Sequence, residues 1–192
     1  MKTNEIVGKK IIDKNVKEVG KIAEMTFDTK TFKLTGIYGS TGNPISKKYH
    51  DIKPEDIMAI GDYLQVSVTK EDLMENTMEK IPQSEENHVK SSEIIGKKVL
   101  DCNGNESGKV SGINIDIDKQ EITSLLLSKT SSFTKTEEAE IEQDEITGFG
   151  DYILINKVLE FVNDKKDDEK EEETQEAKEA EEDEEKVNIN IN

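Results

Sequence analysis

Residues 6–22 and 94–110 superimpose without a gap, and nine of these positions are identical. The first copy reads Ile6-Val7-Gly8-Lys9-Lys10-Ile11-Ile12-Asp13-Lys14-Asn15-Val16-Lys17-Glu18-Val19-Gly20-Lys21-Ile22, and the second mostly keeps apolar character where it differs, as with Val99 and Leu100 for Ile11 and Ile12. The register of 88 residues persists through Asp28/Asp116 and Leu34-Thr35/Ile122-Thr123. It becomes 89 for Ile52/Ile141, Ile57/Ile146 and Gly61-Asp62-Tyr63/Gly150-Asp151-Tyr152, so one residue is inserted in an intervening loop. A chain duplicated in this way builds two similar small units instead of one large core.

Within each copy, short apolar runs alternate with turn residues, the pattern of β-strands. Asn103-Gly104 predicts a two-residue type I′ hairpin turn, in which both positions take positive φ. The first copy has Asn15-Val16 there, and because a β-branched residue resists that conformation, its turn is expected to differ. Residues 22–27 and 110–117 are predicted as the outer strands of a second hairpin that returns through 32–38 and 121–127, where Leu125-Leu126-Leu127 suggests burial on both faces. A polar loop should follow. Closing strands are then expected at 52–60 and 141–149, with a Gly-Asp turn and final strands at 63–68 and 152–158.

Five or six short strands in about 65 residues favour a small closed barrel, which leaves no exposed edge. The expected fold class is therefore all-β: two small β-barrels in tandem, at 1–70 and 92–163, joined by a linker at 71–91 and followed by an acidic tail at 164–192. In the linker, Leu73, Met74 and Met78 form a narrow apolar stripe that predicts a helix over 70–80, and 82–87 read as flexible.

Apolar residues are only 32% of the chain and charged residues 36%, so part of it should remain outside any core. Residues 164–186 fit: 14 acidic and 5 basic residues accompany just two apolar ones, Ala177 and Ala180. That cannot offset the entropy of ordering, and disorder is expected. The pattern then changes, because Val187-Asn188-Ile189-Asn190-Ile191-Asn192 alternates with period two like a half-buried strand. Tethered behind a solvated tail, it predicts a peptide that adds a strand to another protein's sheet, with Val187, Ile189 and Ile191 filling pockets. Docking on its own barrels is the alternative.

The net charge is −17, and all 26 basic residues are lysine. Without arginine the chain lacks the planar fork that reads phosphates and guanine edges, which argues against direct nucleic-acid binding, whereas the acidic surface favours basic protein partners or serves only to keep the chain soluble. Cys102 is the only cysteine, so no internal disulfide or Cys-rich zinc site can form. The charged start Met1-Lys2-Thr3-Asn4-Glu5 and the lack of any long apolar run predict a cytoplasmic protein that does not enter the membrane.

Candidate chemistry is sparse. His50 and His88, expected in a loop and a linker, have no metal-ligand spacing and read as solvated residues. Cys102 lies beside a turn, with Lys14 at the same place in the other copy, and has no histidine partner in sequence. The matched carboxylates Asp13/Asp101 and Asp62/Asp151 could bind a metal or perform acid–base work, but their turn setting favours capping. No catalytic residue, cofactor or metal site is predicted, and the chain does not read as an enzyme.

The twice-repeated pattern of Gly-Lys-Lys, two apolar residues and Asp, then Glu-x-Gly-Lys and an apolar strand ending at Asp28 or Asp116, resembles the PRC-barrel family, as does the closing Gly-Asp-Tyr segment at 61–63 and 150–152. The resemblance covers about two-thirds of the chain and implies a compact barrel used for protein–protein contact. PRC barrels occur in the photosynthetic reaction-centre H subunit, in the ribosome maturation factor RimM and in small archaeal proteins. The transmembrane helix of the first and the separate N-terminal domain of the second are missing here. The tandem arrangement looks more like archaeal proteins linked to cell division, which implies contact with SepF, the membrane anchor of FtsZ, and self-pairing or pairing with a paralogue. A RimM-like assembly factor that holds a basic ribosomal protein is the second implication.

Overall fold

The computed structural model describes residues 1–43, 45–132, 135–159 and 161. The first copy consists of a helical turn α1 (Thr3–Ile6) and strands β1 (Lys10–Ile12), β2 (Glu18–Asp28), β3 (Leu34–Thr41), β4 (Lys48–Ile52), β5 (Ile57–Ile60) and β6 (Tyr63–Val66). A short helix α2 (Lys70–Glu75) and strand β7 (His88–Lys90) lead to the second copy. It contains α3 (Ser91–Ile94), β8 (Lys98–Leu100), β9 (Glu106–Asp116), β10 (Glu121–Ser132), β11 (Lys135–Glu142), β12 (Ile146–Phe149) and β13 (Ile153–Ile155).

The strand order is β4-β3-β2-β1-β6-β5 in one copy and β11-β10-β9-β8-β13-β12 in the other. Neighbours are antiparallel except β1/β6 and β8/β13, which run parallel with Ile11 beside Leu64 and Val99 beside Ile153. Ladder pairing stops at β4/β5 and β11/β12, where a 3-10 turn, Pro54–Asp56 or Gln143–Glu145, carries the chain around the seam. The segments expected as single strands at 52–60 and 141–149 are therefore each two strands broken by that turn. The predicted polar loop is in the second copy largely strand, since β10 and β11 extend to Ser132 and from Lys135.

Period-two alternation fills each interior. Ile11, Ile22, Met25, Phe27, Ile37, Ile52 and Leu64 are buried in the first barrel, and Val99, Val110, Ile113, Leu125, Leu127, Ile141 and Ile153 in the second. Burying a side chain of this size contributes about 1.5–3 kcal/mol, so the alternation dominates the stability of each barrel. Leu125 and Leu127 point inward, whereas Leu126 is only half-buried on the opposite face. It lies across Gly112, its ladder partner, where an added Cβ would approach Leu126 Cδ1 to 3.2 Å. Burial on both faces is thus partial.

The first hairpin turn differs from expectation in both copies. Asp13 N–H donates to Lys17 O at 3.0 Å and Val16 N–H to Asp13 O at 2.9 Å; Asp101 N–H and Gly104 N–H make the matching bonds to Asn105 O and Asp101 O at 2.9 and 3.0 Å. This is a three-residue loop with only its last position left-handed, a type I turn with a bulge, not a type I′ turn. Gly104 has φ +80° and Val16 has φ +61°, so the β-branched residue does adopt the conformation its chemistry resists. Asp13 explains why. Its Oδ1 accepts from Asn15 N–H and Lys17 N–H at 2.9 and 2.8 Å, and Asp101 repeats the pattern with Asn103 and Asn105. The carboxylate brace fixes the loop whatever residue occupies the strained position.

The barrels are joined by reciprocal exchange. The segment preceding each copy pairs with the long strand of the other: His88, Val89 and Lys90 pair with Asp28, Phe27 and Thr26 of β2, while Lys2 pairs with Asn114 of β9. Met1 closes the same contact, its amino group donating to Ile115 O at 3.0 Å and its carbonyl accepting from Ile115 N–H at 2.8 Å. The register of 88 maps Lys90/Thr26 onto Lys2/Asn114, so one interaction is made twice. Between them, Leu34 N–H donates to Gln120 O at 2.8 Å and Ile122 N–H to Phe32 O at 2.9 Å. Lys33 Nζ meets Glu121 Oε2 at 2.6 Å at the centre. Contacts in which residue i of one copy meets residue j of the other, and the reverse, define a pseudo-two-fold axis, here running between Lys33 and Glu121.

Residues 71–91 are accordingly not a free tether. Helix α2 is capped by Thr69, whose Oγ1 accepts from Asp72 N–H at 3.0 Å, but it stops at Glu75 instead of running to residue 80. Met78 leaves the helical stripe to exchange two backbone bonds of 2.8 Å with Tyr49 on the edge of β4. The segment expected to be flexible at 82–87 is held by Glu85 paired with His88 and by Thr29 N–H donating to Asn87 O at 2.8 Å. The tail and the peptide Val187, Ile189 and Ile191 lie outside the described residues.

Because nothing lies within 4 Å of a Cβ added at Gly104, exchanging the two turn residues isolates the backbone term. Val16→Gly should raise the unfolding free energy by about 1 kcal/mol, and Gly104→Val should lower it by about 1–2 kcal/mol. Urea unfolding of the two variants checks both signs.

Candidate protein-binding surfaces

The paired carboxylates serve the fold. Asp13 and Asp101 are almost fully buried, and the Asp13 Oδ2 also accepts from Lys70 N–H at 3.0 Å, tying α2 to the first turn. Burial pushes the Asp13 carboxyl up, but backbone donors from Lys17, Lys70 and Asn15 outweigh it and hold the group below the usual carboxylate range. In Asp101 the Asn105 N–H is the leading cause of the same lowering. Asp62 and Asp151 are exposed in their turns. Each turn is instead gripped from the neighbouring corner, by Lys9 Nζ on Gly61 O and by Lys97 Nζ on Gly150 O at 2.6 Å. The repeated Gly-Lys-Lys therefore has a structural purpose: its second lysine pairs with a glutamate, Lys10 with Glu18 at 2.9 Å and Lys98 with Glu106 at 2.7 Å.

Cys102 is exposed in its turn. His88 is half-exposed on β7, with Nε2 3.5 Å from Asp28 Oδ2. His50 is the correction: far from being solvated, it is fully buried on β4, directly opposite Gly39 on β3. A Cβ at position 39 would lie 2.1 Å from His50 Nε2, so the imidazole occupies the space that glycine leaves. The second copy solves the same packing in reverse, with Leu127 opposite Ala139. Neither ring nitrogen of His50 has a hydrogen-bond partner among the described residues, and burial lowers its pKa to about 4.

Among the described residues no three His, Cys, Asp or Glu side chains are arranged to hold a metal ion, and no helix is long and apolar enough to cross a membrane. A cavity of about 820 Å³ is an open groove in the first barrel between α2 and the β2/β3 pair, lined among others by Glu18, Lys21, Lys47, Lys70 and Met74. Its polar lining mixes lysines with the Glu18 carboxylate and the hydroxyls of Ser40 and Thr41. Apolar side chains left outside recur in register: Val7 and Ile95 at the first corner, Tyr63 and Tyr152 after the Gly-Asp turn. One position later on the same face the copies diverge, with Gln65 in the first and exposed Leu154 in the second.

Two matches to the PRC-barrel domain, at residues 1–73 and 86–165, coincide with the two sheets. The chain belongs to the PRC-barrel family. No curated protein matches it. PRC-barrel domains are protein-interaction modules and are generally non-catalytic. Sequence patterns located the strands of this PRC-barrel tandem but missed the exchanged segments and the buried His50. The one available signal for the latter was the inverted size of the pairs Gly39/His50 and Leu127/Ala139.

His50 makes acid stability measurable. An unfolded histidine titrates near 6.5, so the native state, with its lowered value, fails to take up the proton first. The His50 contribution should be constant above pH 6.5, cost about 3 kcal/mol on going from pH 6.5 to 4, and change no further below, where protonation of the depressed carboxylates such as Asp13 and Asp101 takes over the loss. Comparison of wild type with His50→Leu by denaturant titration across this window should show that difference vanish in the variant.

Proposed function

We propose that this PRC-barrel tandem is a non-catalytic adaptor that joins proteins through two related but unequal barrels, acting in archaeal cell division by contact with the SepF/FtsZ machinery. The observation that carries it is pseudo-symmetry with divergence. The barrels are locked by the same contact made twice, yet the exposed sites differ at Gln65/Leu154 and at the edges β4 and β11, and a groove carrying three lysines lies beside α2 in the first barrel. Such a body presents two non-equivalent contact faces in a fixed relation. On this reading the protein is cytoplasmic, reaches the division site through its partner, and pairs with itself or with a paralogue. The peptide Val187, Ile189 and Ile191 supplies a strand to a partner's sheet. The glutamates on β11 favour the RimM-like alternative in one respect, since they suit a basic ribosomal protein.

Crosslinking mass spectrometry on native cells together with a fluorescent fusion decides between these. The adaptor reading expects crosslinks to division proteins and a mid-cell band, and deletion of residues 187–192 should reduce partner recovery. Co-sedimentation with small-subunit precursors and a diffuse signal would instead favour ribosome assembly.

A further inference from the structure

The two barrels treat the same edge differently. In the first, Tyr49 turns its N–H and C=O away from β3, and Met78 pairs with both, closing the edge of β4. The register of 89 places Glu138 of β11 at the Tyr49 position, and its ladder partner Ser128 corresponds to Ser40, the partner of Tyr49. Glu138 N–H and C=O therefore face away from β10, as do those of Thr136 and Glu140 two residues either side. Among the described residues nothing pairs with this edge, although β11 spans 8 residues against 5 in β4. An open edge of that length is a template for another strand.

Charge decides which strand. Glu138 and Glu140 stand on the outer face, and Glu137 flanks Ala139 on the other. Glu140 is already held by Ser124 Oγ and by Asn114 Nδ2 at 2.8 Å, which leaves Glu138 at the centre of the edge. Like charges placed directly opposite destabilise a ladder and opposite charges support it. The long stretch of this chain outside the described residues, 162–192, is itself acidic and has the wrong sign.

We propose that the β11 edge at Thr136–Glu140 accepts, as an added strand, an extended basic segment of a partner protein in which Lys or Arg alternates with small apolar residues. The inference rests on the adaptor reading and assigns it a partner chemistry. The first barrel cannot offer the equivalent site, because Met78 fills it.

The test uses the full isotope-labelled chain and an acetylated octapeptide alternating Lys and Val, with a Glu/Val octapeptide as control. The Lys/Val peptide should shift the amide resonances of Thr136, Glu138 and Glu140 and slow their hydrogen exchange, the control should not, and added salt should weaken binding. Glu138→Lys should reduce affinity by about tenfold through charge alone. Glu138→Pro, which removes an outward N–H that the ladder does not use, should abolish the exchange protection. Shifts centred on the lysine groove or β4, or binding unaltered in both variants, would overturn the proposal. So would edge amides already protected in the free chain, whether protection is lost on dilution, meaning a second copy, or on removal of residues 187–192, meaning the chain's own peptide. A failed titration alongside intact crosslinks to partners elsewhere would reject this site and leave the adaptor reading standing.

Discussion

The exchange of entry segments is the contact on which the remaining architecture depends. A barrel of this size buries a limited core, because small domains bury a smaller fraction of their surface on folding than large ones do. Here each barrel gives a short entry segment to a long strand of the other and receives the like in return, the three residues of β7 on β2 and the two residues Met1–Lys2 on β9. The following helical turns bring Ile6 and Ile94 into the interior, fully buried. Ser91 and Ser92 then satisfy the buried Glu24 of the first barrel, which also accepts from Met25 N–H. Removing either entry segment would thus expose core in one barrel and orphan ladder groups in the other.

The two halves behave as a covalently joined isologous pair. Phe32 and Gln120, equivalent in register, both hold positive φ, 58° and 53°, immediately beside the central Lys33–Glu121 contact. Non-glycine residues accept that conformation at a cost that the reciprocal bonds Leu34 to Gln120 and Ile122 to Phe32 offset. Strain at the same place in both copies is what an axis of pseudo-symmetry requires. Away from the axis the copies drift: Gly39/His50 against Leu127/Ala139 inside, and outside Met78-covered β4 against a β11 edge that no described residue pairs with.

Much of this could be read from the residues. The repeat, the strand alternation, the capping role of Asp13 and Asp101 and the family pattern were all legible because each rests on local period or turn chemistry. The exceptions share a cause. Val16 was expected to force a different turn, but the Asp13 carboxylate dictates the loop from outside the strained residue. The helix expected to reach residue 80 ends at Glu75 because Met78 gains two ladder bonds on β4. His50 was read as solvated because a histidine amid Lys48, Tyr49 and Asp51 carries no local sign of burial, and only its cross-strand glycine makes room for it. The exchanged segments are only two or three residues long, with partners far along the chain, so neither period nor turn chemistry could reveal them. Of the candidate surfaces, the glutamates of β11 stand plainly in the sequence, but the segment was expected to be largely loop, and its place at a strand edge depends on which described element pairs beside it.

If the exchange binds the barrels into one unit, they cannot melt separately. Differential scanning calorimetry of the full chain tests this directly, through the ratio of van't Hoff to calorimetric enthalpy. The account predicts a single transition with a ratio near one, because losing either barrel strips the other of its paired strand. Two resolved transitions, or one broad transition with a ratio near one half, would show independent barrels and contradict it.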